Sequence, residues 1–128
     1  MRIKTTEKEL EEFKNYCERL IVYLGLRDWD CVYIIREADD RNAGIEYNPS
    51  TRKALFILAS NREEYKTLYE LAKHEVLELL LADLCALLGP FYSDILIDNE
   101  THKVINRLVF AIDICKAKKE NERTGNMI

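Results

Sequence analysis

The chain has 128 residues, room for one hydrophobic core and a single domain. Hydrophobic residues make up 48% of it and charged residues 33%, a balance that excludes an intrinsically disordered chain. A net charge of −4 argues against a general nucleic-acid binder, which carries a basic face.

Met1 to Glu12 is polar and charged, so no secretory signal is expected ahead of the first helix. Apolar runs such as Leu79 to Ala82 are far too short to cross a bilayer. A cytoplasmic protein with no membrane partner is the expectation. Thr6 and Glu9 form a capping-box pattern, and Gly25 supplies a stop. Between them Leu10, Phe13, Cys17, Leu20 and Leu24 repeat at helical spacing, predicting a helix over about 7–24. The period then drops to two: β-branched and aromatic residues from Trp29 to Arg36 predict a strand. A polar break at Asp39 to Asn42 leads to a second short strand, Gly44 to Asn48. The turn Asn48-Pro49-Ser50-Thr51 leads to a third, Arg52 to Ala59.

Ser60 and Glu63 repeat the capping-box pattern and predict the start of a second helix, with Gly89-Pro90 as its end. Leu68, Leu71, Val76, Leu77, Leu79, Leu80, Leu81, Leu84 and Leu88 make it apolar on almost every side, as in a helix buried between layers. A third helix is expected from Asp98 or Asn99 to about Lys118, burying Val104, Ile105, Leu108, Val109, Ile112 and Cys115. The four cysteines sit at core-like spacing with no Cys-x-x-Cys pair, and read as small hydrophobes rather than disulfide or zinc ligands. The order α-β-β-β-α-α predicts an α+β fold: a three-stranded antiparallel meander packed with three helices over residues 1–118, then a polar tail over 119–128.

Chemistry concentrates in His74-Glu75-Val76-Leu77-Glu78, polar residues on a helix expected to be buried, where each needs a partner. His74 and Glu78 are four apart and point to the same side, the geometry by which two helical side chains reach one metal ion. Glu75 lies on the flank, where it could polarise a water. On the third helix, Glu100 and His102 flank the apolar face from opposite sides, and helical angles do not choose between them as a third ligand. Read blandly, His74 and Glu78 are an i,i+4 ion pair worth about 0.3 kcal/mol. His102 is then a surface histidine, Trp29 and Tyr33 are core or sheet-face residues, and Asp83 is satisfied by a capping or salt-bridge partner.

The His74 to Ala82 segment resembles the His-Glu-x-x-His pattern of zincin metallopeptidases. It is similar to small metallopeptidase-like proteins encoded by phages and prophages. The segments Glu100-Thr101-His102-Lys103-Val104-Ile105-Asn106-Arg107-Leu108 and Leu24-Gly25-Leu26-x-x-Trp29 extend the likeness over most of the chain. The resemblance implies a zincin-like fold, with His74 as metal ligand and Glu75 as general base. Glu78 stands where the family has its second histidine; a carboxylate ligates zinc at the same spacing, but lowers the acidity of the ion. The likeness favours Glu100 as third ligand, while His102 limits the negative charge around the ion. The implied cofactor is zinc, with manganese or iron as further options. The implied function is peptide-bond hydrolysis by metal-activated water; the competing one is a non-catalytic interaction or phage assembly protein that keeps the fold.

Overall fold

The computed structural model describes residues 2–126, with side chains described through residue 112. The chain runs β1 (Arg2–Lys4), α1 (Glu7–Tyr23), β2 (Asp30–Arg36), β3 (Ala43–Asn48) and β4 (Lys53–Ala59). It continues through β5 (Asn61–Glu63), α2 (Leu68–Leu80), α3 (Ala82–Leu88) and α4 (Asp94–Asn126). It is an α+β domain, as expected. The first helix starts on the expected box: Thr6 Oγ1 accepts the Glu9 N–H at 3.2 Å, and Glu9 accepts the Thr6 N–H at 3.0 Å.

The sheet corrects the expected antiparallel meander. Its order is β2-β4-β3, with β4 parallel to β2 and antiparallel to β3. The loop over residues 37–42 carries the chain past β4's position, and β4 then returns between the two earlier strands. Composition explains this placement: Phe56, Ile57, Leu58 and Ala59 are all buried, and such a run belongs at the centre of a sheet. Alternation still sets the faces. Ala43 and Ile45 from β3, and Ala54, Phe56 and Leu58 from β4, turn inward against α1 and α2.

A second correction concerns residues 60–66. Asn61–Glu63 forms a strand paired antiparallel with β1, and Ser60 N–H bonds the Arg36 carbonyl at 3.1 Å. The second helix therefore starts at Thr67, whose hydroxyl accepts the Glu70 N–H at 3.1 Å. Thr67→Ala is expected to lower stability by about 1 kcal/mol, and Ser60→Ala, whose side chain caps no helix among the described residues, by less. Urea denaturation of the two variants checks it.

The long second helix is also broken. Leu81 ends α2 with φ −92° and ψ 1°, and α3 turns outward, leaving Leu84 exposed. The third expected helix is α4, and it starts earlier than Asp98: Ser93 Oγ accepts the Leu96 N–H at 3.2 Å, and the helix runs through Asn126. Of its expected apolar face Ile105 is fully buried, Leu108, Val109 and Ile112 are half-buried, and Val104 is exposed. Cys115 and the 119–128 tail lie outside the described side chains. Cys17, Cys31 and Cys85 are free thiols, and Trp29 is buried. Asp83 has the expected partner, Arg52 at 2.6 Å. Among the described residues no helix is long and apolar enough to cross a membrane.

Candidate metal centre

The inner face of α2 is mostly apolar: Leu71, Ala72, Val76 and Leu79 pack into the main core. His74 and Glu78 come off one side of the same helix, half-buried, one turn apart. They meet α4, which brings His102 against them. One ligand atom from each of His74, Glu78 and His102 lies within 4.8 Å of the others. The two imidazole rings are 5.5 Å apart between centroids, and His102 Nε2 is 3.7 Å from Glu78 Oε1. Donors at about 2.0–2.1 Å from a tetrahedral zinc stand roughly 3.4 Å apart, so this separation is close to a ligating one.

The hydrogen bond on the far side of His102 fixes what faces Glu78. Nδ1 lies 2.8 Å from the Asp98 carbonyl oxygen, and a carbonyl only accepts, so Nδ1 carries the proton. In the neutral ring Nε2 is then a lone pair aimed at a carboxylate. Two acceptors facing each other are reconciled by something between them that carries positive charge or donates hydrogens, as a metal ion or a bridging water does. An Nδ1–H bonded to a backbone carbonyl is also the usual outer support of a metal-ligating histidine. His74 is held as the neutral base that ligation needs. Burial pushes it below its ordinary value, His102 and Lys66 add to the drop, and Glu78 opposes it.

Glu75 is 5% exposed, and among the described residues its Oε2 has no hydrogen-bond partner. Burial, then the charge of Glu78 and a hydrogen bond with it, push the Glu75 carboxyl up to about 9. It is a protonated acid at neutral pH. The three groups and Glu75 line one cleft of about 490 Å³, within the usual size of ligand sites. A second hollow of about 340 Å³ shares Tyr47, Glu78 and Asp98 with the first, so the groove continues past Glu78.

The structure thus brings together His74, Glu75, Glu78 and His102, and leaves out Glu100. Glu100 is exposed and pairs with Lys103 at 2.9 Å, one turn along its own helix. Helical phase left the choice open because it depends on how α4 crosses α2, which no single-helix pattern contains. Sequence reasoning missed the cleft's other wall. Tyr47 follows Ala43 and Ile45 on the inward side of β3, an alternation visible in the sequence. Arg41 and Lys66 sit in connecting segments with no pattern to mark them. No protein-family model, curated protein or solved structure matches this chain.

Proposed function

We propose that the chain is a metal-dependent peptidase-like protein of the phage and prophage kind that the His74–Ala82 segment resembles. The observation that carries the reading is the lone pair of His102 facing the Glu78 carboxylate, beside neutral His74. Two imidazoles and one carboxylate are the donor set of many catalytic zinc sites, and the set carries a single negative charge. A set built on Glu78 and Glu100 would have carried two. The buried, unpartnered Oε2 of Glu75 in the same cleft also fits such a centre.

His74, Glu78 and His102 would hold a divalent ion, which when bound would supply Lewis acidity and a water made nucleophilic at neutral pH. Glu75 holds its proton here, and a positive charge nearby favours its ionised form. Ionised Glu75 takes a proton from the attacking water and returns it to the departing amine. The groove that continues past Glu78 suits an extended chain.

Two measurements test the reading. Untagged protein purified with Zn²⁺, Mn²⁺ or Fe²⁺ supplied is expected to hold about one equivalent of one of them, and His74→Ala to hold far less. Only traces in the unmutated chain would remove the reading. Against a mixed peptide library, Glu75→Gln is expected to lose hydrolysis while keeping its metal. If the variant cleaves as before, Glu75 is not the base.

A second reading, a non-catalytic interaction or assembly protein on the same fold, is favoured by a different surface. Around α3 and the start of α4, Leu87, Phe91 and Ile95 are 68%, 78% and 76% exposed, and such patches mark association sites. In that case Phe91→Ser with Ile95→Ser removes binding to the partner, and Glu75→Gln leaves it untouched.

A further inference from the structure

Arg41 and Lys66 line the cleft that holds His74, Glu75 and Glu78. Their backbones are pinned. Arg41 closes a tight turn, its N–H donating to the Ala38 carbonyl at 2.8 Å. The next residue, Asn42, accepts from the Ala59 N–H at 3.0 Å and, through Oδ1, from the Glu63 N–H at 2.7 Å. Lys66 directly precedes Thr67, the N-cap of α2. Both side chains are nonetheless exposed, and among the described residues neither makes a hydrogen bond or an ion pair. Two cations on pinned backbones, without ion pairs among the described residues, line one concave site.

Carboxylates line the cleft as well. Asp98 is occupied with His102, its Oδ1 3.4 Å from Nδ1, while Asp40 and Glu70 line the same cleft as Arg41 and Lys66. Among the residues that line the cleft, Arg41 and Lys66 are the two lysine or arginine cations.

Resting on the metal-site reading above, we propose that Arg41 and Lys66 form a seat for a carboxylate of the substrate, so that the cleft selects peptides presenting one there. A guanidinium fork matches the two oxygens of a carboxylate, and the ammonium adds a point charge. A free chain end and an aspartate or glutamate side chain offer the same group.

The test uses the full chain loaded with Zn²⁺ and short peptides bearing an N-terminal hydroxamate, a neutral zinc-binding group. Four probes differ in one feature: a free C-terminal carboxylate, an aspartate side chain with the terminus amidated, no charge at all, or a lysine side chain. At least one carboxylate probe is expected to bind about tenfold more tightly than the neutral probe, the effect of two partly screened ion pairs. Which one gains tells a chain end from a side chain. The advantage should vanish in the double variant Arg41→Gln, Lys66→Gln, with the neutral probe's Kd unchanged. The seat is overturned if the neutral probe binds as tightly as both carboxylate probes, if the lysine probe binds best, or if the advantage survives in the double variant. If the chain holds no Zn²⁺ and no probe binds, the metal reading fails, and the seat with it.

Discussion

The His102→Ala protein is expected to bind Zn²⁺ at least roughly a hundredfold more weakly than the unmutated chain, since losing even an outer partner of a metal ligand costs about 10- to 100-fold. Glu100→Ala is expected to change nothing. The contrast follows from geometry. His102 Nε2 is 3.7 Å from Glu78 Oε1, and its ring is 5.5 Å from that of His74. Glu100 leaves α4 on another side, where Lys103 holds it at 2.9 Å in solvent. Such an exposed pair contributes little, so its loss disturbs neither fold nor site. Competition against a chromophoric chelator at neutral pH reads both affinities. Equal weakening in the two variants, or an unchanged affinity in His102→Ala, would mean that α4 supplies no ligand from this position.

How far the fold was legible in the sequence depended on whether a signal was local. Thr6 and Glu9 read correctly because both halves of a capping box lie within one turn. Ser60 and Glu63 show the same pattern and mislead, because the Ser60 N–H is taken by Arg36 and Glu63 pairs with Arg2 in another strand. Tertiary pairing outweighs a local cap worth about 1 kcal/mol. The sheet order failed for a similar reason. Chain order suggested a meander, yet the unbroken apolar run in β4 already marked it as the central strand.

At the site, the pair on α2 was readable, since i,i+4 spacing alone puts His74 and Glu78 on one side. The third member was not, because it depends on a crossing of two helices. One clue was nevertheless present. Asp98 precedes His102 by four residues, so in a helix its carbonyl lies beneath the His102 ring.

In the presence of a chelator, the stability of the metal-free protein is expected to fall with rising pH between about 5 and 9, and Glu75→Gln to abolish most of that fall. Glu75 is pushed up to about 9 in the folded protein, while an unfolded glutamate ionises near 4.3. Between those values the folded chain keeps a proton that the unfolded chain has released. Stability then decreases as pH rises, by at most about 1.4 kcal/mol per pH unit for one proton, and the contribution is gone once the pH passes the folded value. Below about pH 4.5 both states are protonated, and glutamine should behave much like the acid. His74 acts in the opposite sense: its lowered value makes stability rise with pH up to its unfolded value near 6.5. The difference between the unmutated chain and Glu75→Gln cancels most of that and isolates Glu75. Thermal midpoints at pH 5, 7 and 8.5 should therefore place the variant close to the unmutated chain at pH 5 and increasingly above it towards pH 8.5. Parallel curves would show that Glu75 ionises normally in the fold, and that its burial beside Glu78 is relieved by water. The same proton connects stability to function. If metal binding converts Glu75 from acid to base, Zn²⁺ added to the unmutated chain near pH 7 should release one more proton than it does from Glu75→Gln, a difference that calorimetry in buffers of different ionisation heat reads directly.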